Sequence, residues 1–353
     1  MPWPSSSASD FIVGFITGCL TIVVLLAIAA FSLTRTADIY GLGHWKLNVR
    51  TPLPSMWMNL GFWTRDDGKP IQHFDEAARN MLEKLLQAAG LTSTAKSQHS
   101  VAVLDVGFGC GDQTVALAEL IHASSRPQFR YVGLTLNAVQ LQAAQQRLDA
   151  ALTIPEGRNS SSSKSALGLS ESSFKLFQAD AAKPESWNSV VCASVDGLAD
   201  ETFRERWLMG LDCLYHFSPS RKPIFKRASQ TLNANVMAFD LILSDTASAW
   251  QILAVRILGF ILLCPWRTFL TEEQYRDQLV ECGYDRACVE IRDISDHVFG
   301  GLAGHLRKQD AALSPYGISL SGYTMVGRIY EWFDRTRVLK AAIVVGRIKS
   351  KSQ

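Results

Sequence analysis

Val101-Ala-Val-Leu-Asp-Val-Gly-Phe-Gly-Cys-Gly-Asp112 is the stretch that decides the fold. Its first six residues are apolar and largely β-branched apart from Asp105, which predicts a buried strand. Three glycines at alternate positions, Gly107, Gly109 and Gly111, predict a tight turn. The run from Gln113 to Leu120 is helix-compatible. A strand, a glycine turn and a helix start together suit a nucleotide-type ligand. Glycine lets the backbone come close, and a helix N-terminus offers unpaired N–H groups. A tight turn without a ligand would carry the same letters.

A dinucleotide fold needs G-x-G-x-x-G, with the third glycine allowing close helix–strand packing. Here that third position is Asp112. Tyr131 to Leu136 reads as the second strand and Asn137 to Leu148 as the helix after it. No acid stands at that strand end to grip a ribose. Both departures count against a nicotinamide-dependent oxidoreductase. Phe174 to Ala181 reads as a third strand running out into Asp180 and Ala181, and Trp207 to Phe217 as a fourth that ends in Asp212 and a short loop with His216. Val236 to Leu241 is the fifth, after Asn233-Ala-Asn235, where asparagine tolerates a left-handed turn. Ala287 to Asp293 and Leu339 to Ile348 close the sheet, and Phe74 to Leu91 is an amphipathic helix before the first strand.

The spacing from Asp105 to Gly111 resembles D-x-G-x-G-x-G, the first motif of class I S-adenosylmethionine (SAM) methyltransferases. Gly133-Leu-Thr-Leu-Asn-Ala-Val-Gln140 is similar to the G-x-T-x-(S/N)-x-x-Q pattern of the tocopherol, sterol, erythromycin and cyclopropane-fatty-acid type. Asn59-Leu-Gly-Phe-Trp63 resembles the N-L-G-Y-W segment of the erythromycin and tocopherol type. The resemblance spans residues 55 to 348, departing locally where a Pro-Gly-Gly turn is replaced by Asn233-Ala-Asn235. It implies an α/β, Rossmann-like fold with a seven-stranded, mostly parallel sheet. It implies SAM as cofactor, with Asp105, Gly107, Gly109 and Gly111 at its methionine end. Thr135 and Gln140 would supply polar contacts, Asp180 would meet the adenine amino group beside Ala181, and Asp212 would complete the cofactor site. Trp63 would belong to a lid over cofactor or substrate, an aromatic cluster of this density being as often core. His216 would be the catalytic base, since imidazole titrates near neutrality; packing against the cofactor is its other role.

The 353 residues carry a net charge of +2 and no long basic run, which makes nucleic acid an unsuitable partner. The seven cysteines are scattered and show no metal spacing, so no metal is expected. Phe11 to Leu33 has no charged residue and is long enough for a bilayer span. Arg35, Lys46 and Arg50 follow it and predict a single-pass N-terminal transmembrane helix with the catalytic part facing the cytosol. The expected organisation is an anchor over 1–35, a lid and linker region over 36–95 and the catalytic domain over 96–353. That domain would include a Ser-rich insertion at 155–173 and an apolar lid helix at 249–266, with Trp250 and Trp266 suited to a membrane interface. The expected protein is a membrane-anchored methyltransferase acting on a hydrophobic small molecule or lipid. An inactive SAM-binding scaffold at a membrane and a nicotinamide-dependent oxidoreductase are the alternatives.

Overall fold

The computed structural model describes residues 8–35, 53–92, 99–153 and 173–349. Most of the expected Ser-rich insertion, together with Lys46 and Arg50, lies outside the described residues. The chain forms two compact units, one of Met1–Leu53 with Gln309–Leu320 and one of Pro54–Lys308 with Ser321–Gln353.

In the larger unit the quoted stretch forms β1 (Val101–Val106), buried at every position. It pairs in parallel with β2 (Phe129–Thr135) on one side and β4 (Glu205–Leu211) on the other. β3 (Phe174–Gln178) lies outside β2, and β5 (Asn235–Leu243) lies outside β4. β7 (Leu339–Ile348) runs antiparallel to both β5 and β6 (Tyr284–Asp293). The resulting seven-stranded order is β3-β2-β1-β4-β5-β7-β6. The left-handed turn expected before β5 is present, with Asn233 at φ 51°.

Alternation along the strands builds two cores. Val101 and Val103 of β1 face one, while Ala102, Leu104 and Val106 face the other. The first core takes α2 (Phe74–Ala89), α3 (Asp112–Ala123), α7 (Ala249–Ile261), α9 (Phe299–Leu313) and α10 (Ser321–Thr336). The second takes α5 (Ser189–Asp196), α6 (Lys222–Lys226) and α8 (Glu272–Glu281). In α2 the buried positions Ala78, Met81, Leu82, Leu85, Leu86 and Ala89 recur at helical spacing. This helix, expected in a lid and linker region, is therefore part of the body. Asn137 caps α4 (Ala138–Leu152) by accepting from the N–H groups of Val139 and Gln140. Capping boxes at Ser248/Gln251 and Thr271/Gln274 start α7 and α8. The apolar segment expected as a helix over 249–266 stops being helical at Ile261, and its remainder forms a turn.

In the smaller unit α1 (Ala8–Arg35) is a 28-residue helix. Its side chains are described for 10–26 and 28, and Phe11, Val13, Phe15, Leu20, Val23 and Leu26 are exposed. Among the described residues no helix is long and apolar enough to cross a membrane, so the expected span is not seen as such.

One close approach holds α3 against α4. Gly111 caps α3 at φ 93°, and a Cβ there would lie 2.7 Å from the Ala144 Cα. Gly111→Ala is expected to lose about 3 kcal/mol, combining left-handed strain with overpacking. Equilibrium urea unfolding would check this; a loss below about 1 kcal/mol would mean the α3–α4 contact yields.

Candidate active site

The turn after β1 lies at the carboxyl ends of the parallel strands, where β2 and β4 diverge on either side of β1. Open α/β sheets bind ligands at such a switch point. Gly107 has φ 79°, and a Cβ there would lie 2.8 Å from the Cys213 Cβ. The turns after β1 and β4 therefore touch, and only glycine permits it.

Asp105 lies beneath this turn, fully buried. Its carboxylate accepts from Gln113 Nε2 at 2.8 Å and from the Tyr131 hydroxyl at 2.7 Å. Burial pushes its pKa up to about 7, against these two donors. Asp105 thus ties the end of β1 to the start of α3 and to β2.

Two cavities flank the turn. The first, of about 370 Å³, is lined by Gly107, Gly109, Gln113, Asp212 and a strap running from Met56 to Leu60. Carboxylates hold the strap at both ends. Asp112 accepts from the Met56 N–H at 3.2 Å and pairs with Arg147 at 3.0 Å. Arg147 also donates to the Pro54 carbonyl at 3.0 Å. At the other end Asp212, at φ 66°, accepts from the Leu60 N–H at 2.8 Å and from the Tyr215 hydroxyl at 2.7 Å. Burial pushes Asp212 up to about 7 as well.

The second cavity, of about 260 Å³, is lined by Thr135, Gln140, Asp180, Ala181 and Phe217. The Thr135 hydroxyl donates to Gln140 Oε1 at 2.8 Å. β3 ends at Gln178, and Asp180 stands in the turn beyond it, accepting from the Ala182 N–H at 2.9 Å. Gly107, Gln140, Cys213 and His216 border both cavities.

A third cavity of about 260 Å³ is walled by apolar side chains, among them Val255 and Leu258 of α7, Phe269, and Ile329 and Phe333 of α10. Tyr215, His216 and Tyr330 border it and the first cavity together. His216 borders all three cavities. Partial desolvation lowers its pKa below the usual imidazole value, against the Leu263 carbonyl and Asp240. Among the described residues no group of three or more His, Cys, Asp or Glu is arranged to hold a metal ion.

The structure brings Gly107, Gly109, Thr135, Gln140, Asp180, Ala181, Asp212 and His216 to these cavities. Three expected site residues stand elsewhere. Asp105 is behind the turn with its oxygens already bonded, and Gly111 is committed to the α3–α4 contact. Trp63 is only 4 % exposed, its ring 5.0 Å from His305 and 6.2 Å from Phe74, and it borders none of the three cavities. It is core because Gly301 leaves room for its ring there. Trp57 is the tryptophan at the site. The residues that sequence reasoning missed are Tyr215, Tyr330 and Asp112. Asp112 was legible only as a missing glycine. Tyr330 belongs to a helical stripe, Val326, Ile329, Tyr330 and Phe333, that sequence could have shown.

No family model and no curated protein matches this chain. Solved structures do match in fold. A protein of Galdieria sulphuraria assigned as a sarcosine dimethylglycine methyltransferase aligns at 16% identity and a TM-score of 0.54, covering 82% of this chain and 92% of its own. A cyclopropane synthase of Mycobacterium tuberculosis aligns at 16% identity and 0.52, covering 82% and 90%. The 4+2 cyclase SpnF aligns at 16% identity and 0.51, covering 89% and 95%. The fold of the larger unit is that of the class I SAM methyltransferases.

The raised Asp212 pKa predicts a pH slope. The folded chain holds that proton more tightly than the unfolded chain, whose value is near 3.8. Its contribution to stability is full below about pH 4 and is lost as pH rises to about 7. Asp212→Asn, which keeps an acceptor and tolerates φ 66°, is expected to gain on wild type by a few kcal/mol across that window. Unfolding free energies at pH 4 and pH 7 check it; a constant difference between the two proteins would refute the shift.

Proposed function

We propose that this chain is a SAM-dependent methyltransferase acting on a hydrophobic small molecule or lipid. The observation that carries this reading is the meeting of two polar-edged cavities and one apolar cavity at His216. The residues present suit the cofactor. In this reading its methionine end takes the first cavity, against the backbone of Gly107 and Gly109 and beside Asp212 and Gln140. The adenosine part takes the second, where Thr135, Asp180 and Ala181 supply polar edges. Asp105 serves as a positioning residue beneath the turn. Bound there, SAM supplies an electrophilic methyl group on its sulfonium.

The chain's own task is to align an acceptor, exclude water and remove a proton where the acceptor requires it. The strap from Met56 to Leu60 covers the first cavity. Neutral His216 is placed to act as base, and the third cavity offers an apolar acceptor body a dry seat. Fold neighbours whose names carry a long-chain or prenyl substrate support the acceptor class: a mycolic acid cyclopropane synthase and a geranyl diphosphate C-methyltransferase.

Calorimetric titration of SAM into the full chain in detergent micelles tests this reading. Saturable binding is expected, with loss of at least about tenfold in affinity in Gly109→Arg, whose added side chain enters the first cavity. No binding by the folded protein, or tighter binding of NAD(P)H, would refute it. A fold neighbour is a cyclase, so binding must be followed by turnover with lipid and prenyl acceptors. Binding that never yields methyl transfer favours a scaffold or another chemistry.

Membrane attachment through Phe11 to Leu33 is part of the same proposal. Its support is the charge-free sequence, the helical α1 and the exposure of Trp250, Phe260, Leu263 and Trp266 at the two ends of the α7 segment. The full chain is expected to stay with membranes through alkaline carbonate washing. Release into the soluble fraction would refute a span and leave at most a peripheral contact.

A further inference from the structure

We propose that Cys264 is the positioning partner of His216, holding the ring by its Nδ1–H so that the Nε2 lone pair is left free to take a proton from the acceptor. The Cys264 Sγ lies 3.4 Å from His216 Nδ1, and Cys264 is 5 % exposed. The same sulfur lies 3.8 Å from the Leu262 carbonyl oxygen. A thiol has one proton to give, and burial pushes this one up to about 11, so it stays on sulfur. When the S–H donates to Leu262, the sulfur's lone pair faces Nδ1 and accepts from it. A neutral imidazole with its proton on Nδ1 has its lone pair on Nε2. Nε2 is the atom a base needs, and the ring stands where all three cavities meet.

The end of α7 brings Cys264 to the ring. α7 ends at Ile261, and Leu263 adopts φ 62° while 85 % exposed. This is the left-handed residue of a helix C-terminal motif, its N–H donating to the Phe260 carbonyl at 3.1 Å. Its conformation turns the next residue inward, where the Cys264 N–H donates to the Gly259 carbonyl at 2.8 Å. The other groups around the ring are Tyr215 on its own turn, with ring centroids 4.5 Å apart, Tyr330 on α10 and Asp240 on β5. Asp240 and the Leu263 carbonyl favour the protonated ring, and burial outweighs both.

The step this pair would serve balances. The acceptor's O–H or N–H atom forms a bond to the methyl carbon while the carbon–sulfur bond breaks and leaves its electron pair on sulfur. The acceptor's proton passes to Nε2 and leaves an imidazolium. This step rests on the methyltransferase reading; the tautomer does not.

Nitrogen-15 NMR of histidine-labelled full chain in micelles tests the tautomer directly. The His216 signals are those lost in His216→Gln among the seven histidines. Wild type is expected to carry its proton on Nδ1 at neutral pH. Cys264→Ser should keep that form, and Cys264→Ala should shift the tautomer ratio toward Nε2–H by roughly five- to tenfold, the worth of one hydrogen bond. A proton on Nε2 in wild type would overturn the proposal, and so would a ratio unmoved in Cys264→Ala. If Cys264→Ala does not fold, the wild-type spectrum alone decides. SAM titration of the same samples separates the two failures: lost binding with an Nδ1–H ring sinks the methyltransferase reading and leaves the pair standing.

Discussion

The close approach of three backbones at the glycine turn is the constraint on which the rest of this structure depends. Gly107 lets the turn after β1 touch the turn after β4 at Cys213, and Gly111 lets α3 lie against α4 at Ala144. A side chain at either position would force apart elements that the sheet register holds together. Asp105 fixes the turn from below through Gln113 and Tyr131. A buried carboxylate is costly to ionise, and its raised pKa records that cost. The hydrogen bonds offset part of it and set the direction of the helix that follows.

The same economy of carboxylates shapes the cover of the site. Asp112 and Asp212 lie at opposite ends of the strap and accept backbone N–H groups of Met56 and Leu60. The strap has little regular structure of its own, so these contacts and its packing determine where it lies. Asp212 also holds the Tyr215 hydroxyl, which links the strap to the turn that carries His216. Cofactor-side cover and acceptor-side base therefore share one half-buried acid. His216 is reached from the other direction by Cys264, at the end of the helix that walls the apolar cavity. The site is a junction of long-range contacts, and few of its partners are neighbours in sequence.

This explains which parts of the site could be read early. The apolar run of β1, the glycine spacing and the helix after β2 are local signals, and each describes an element as it is found. Thr135 and Asp180 came from the family resemblance and His216 from its place beyond a strand end, and all three line cavities at the edge where the strand ends converge. For Trp63 the sequence left lid and core open, because an aromatic near a site motif carries no record of which way its ring turns. Here Gly301, far away in sequence, opens a place for it in the core. Tyr330 escaped for the converse reason: its stripe on α10 marks a buried face without naming what that face meets.

By itself the sequence determined the α/β class, the strand that opens the sheet and the turn that must be glycine, because periodicity and backbone sterics act within a few residues, and its family resemblance pointed to part of the lining of the paired cavities. Tertiary structure alone decided the antiparallel place of β7 between β5 and β6, the bonding of Asp105 to Gln113 and Tyr131, the packing of Gly111 on Ala144, and the meeting of Tyr215, His216, Cys264 and Tyr330. Those outcomes depend on which surfaces come within a few ångströms of one another. That distance is set by the summed packing of both cores, and no local pattern in the chain encodes it.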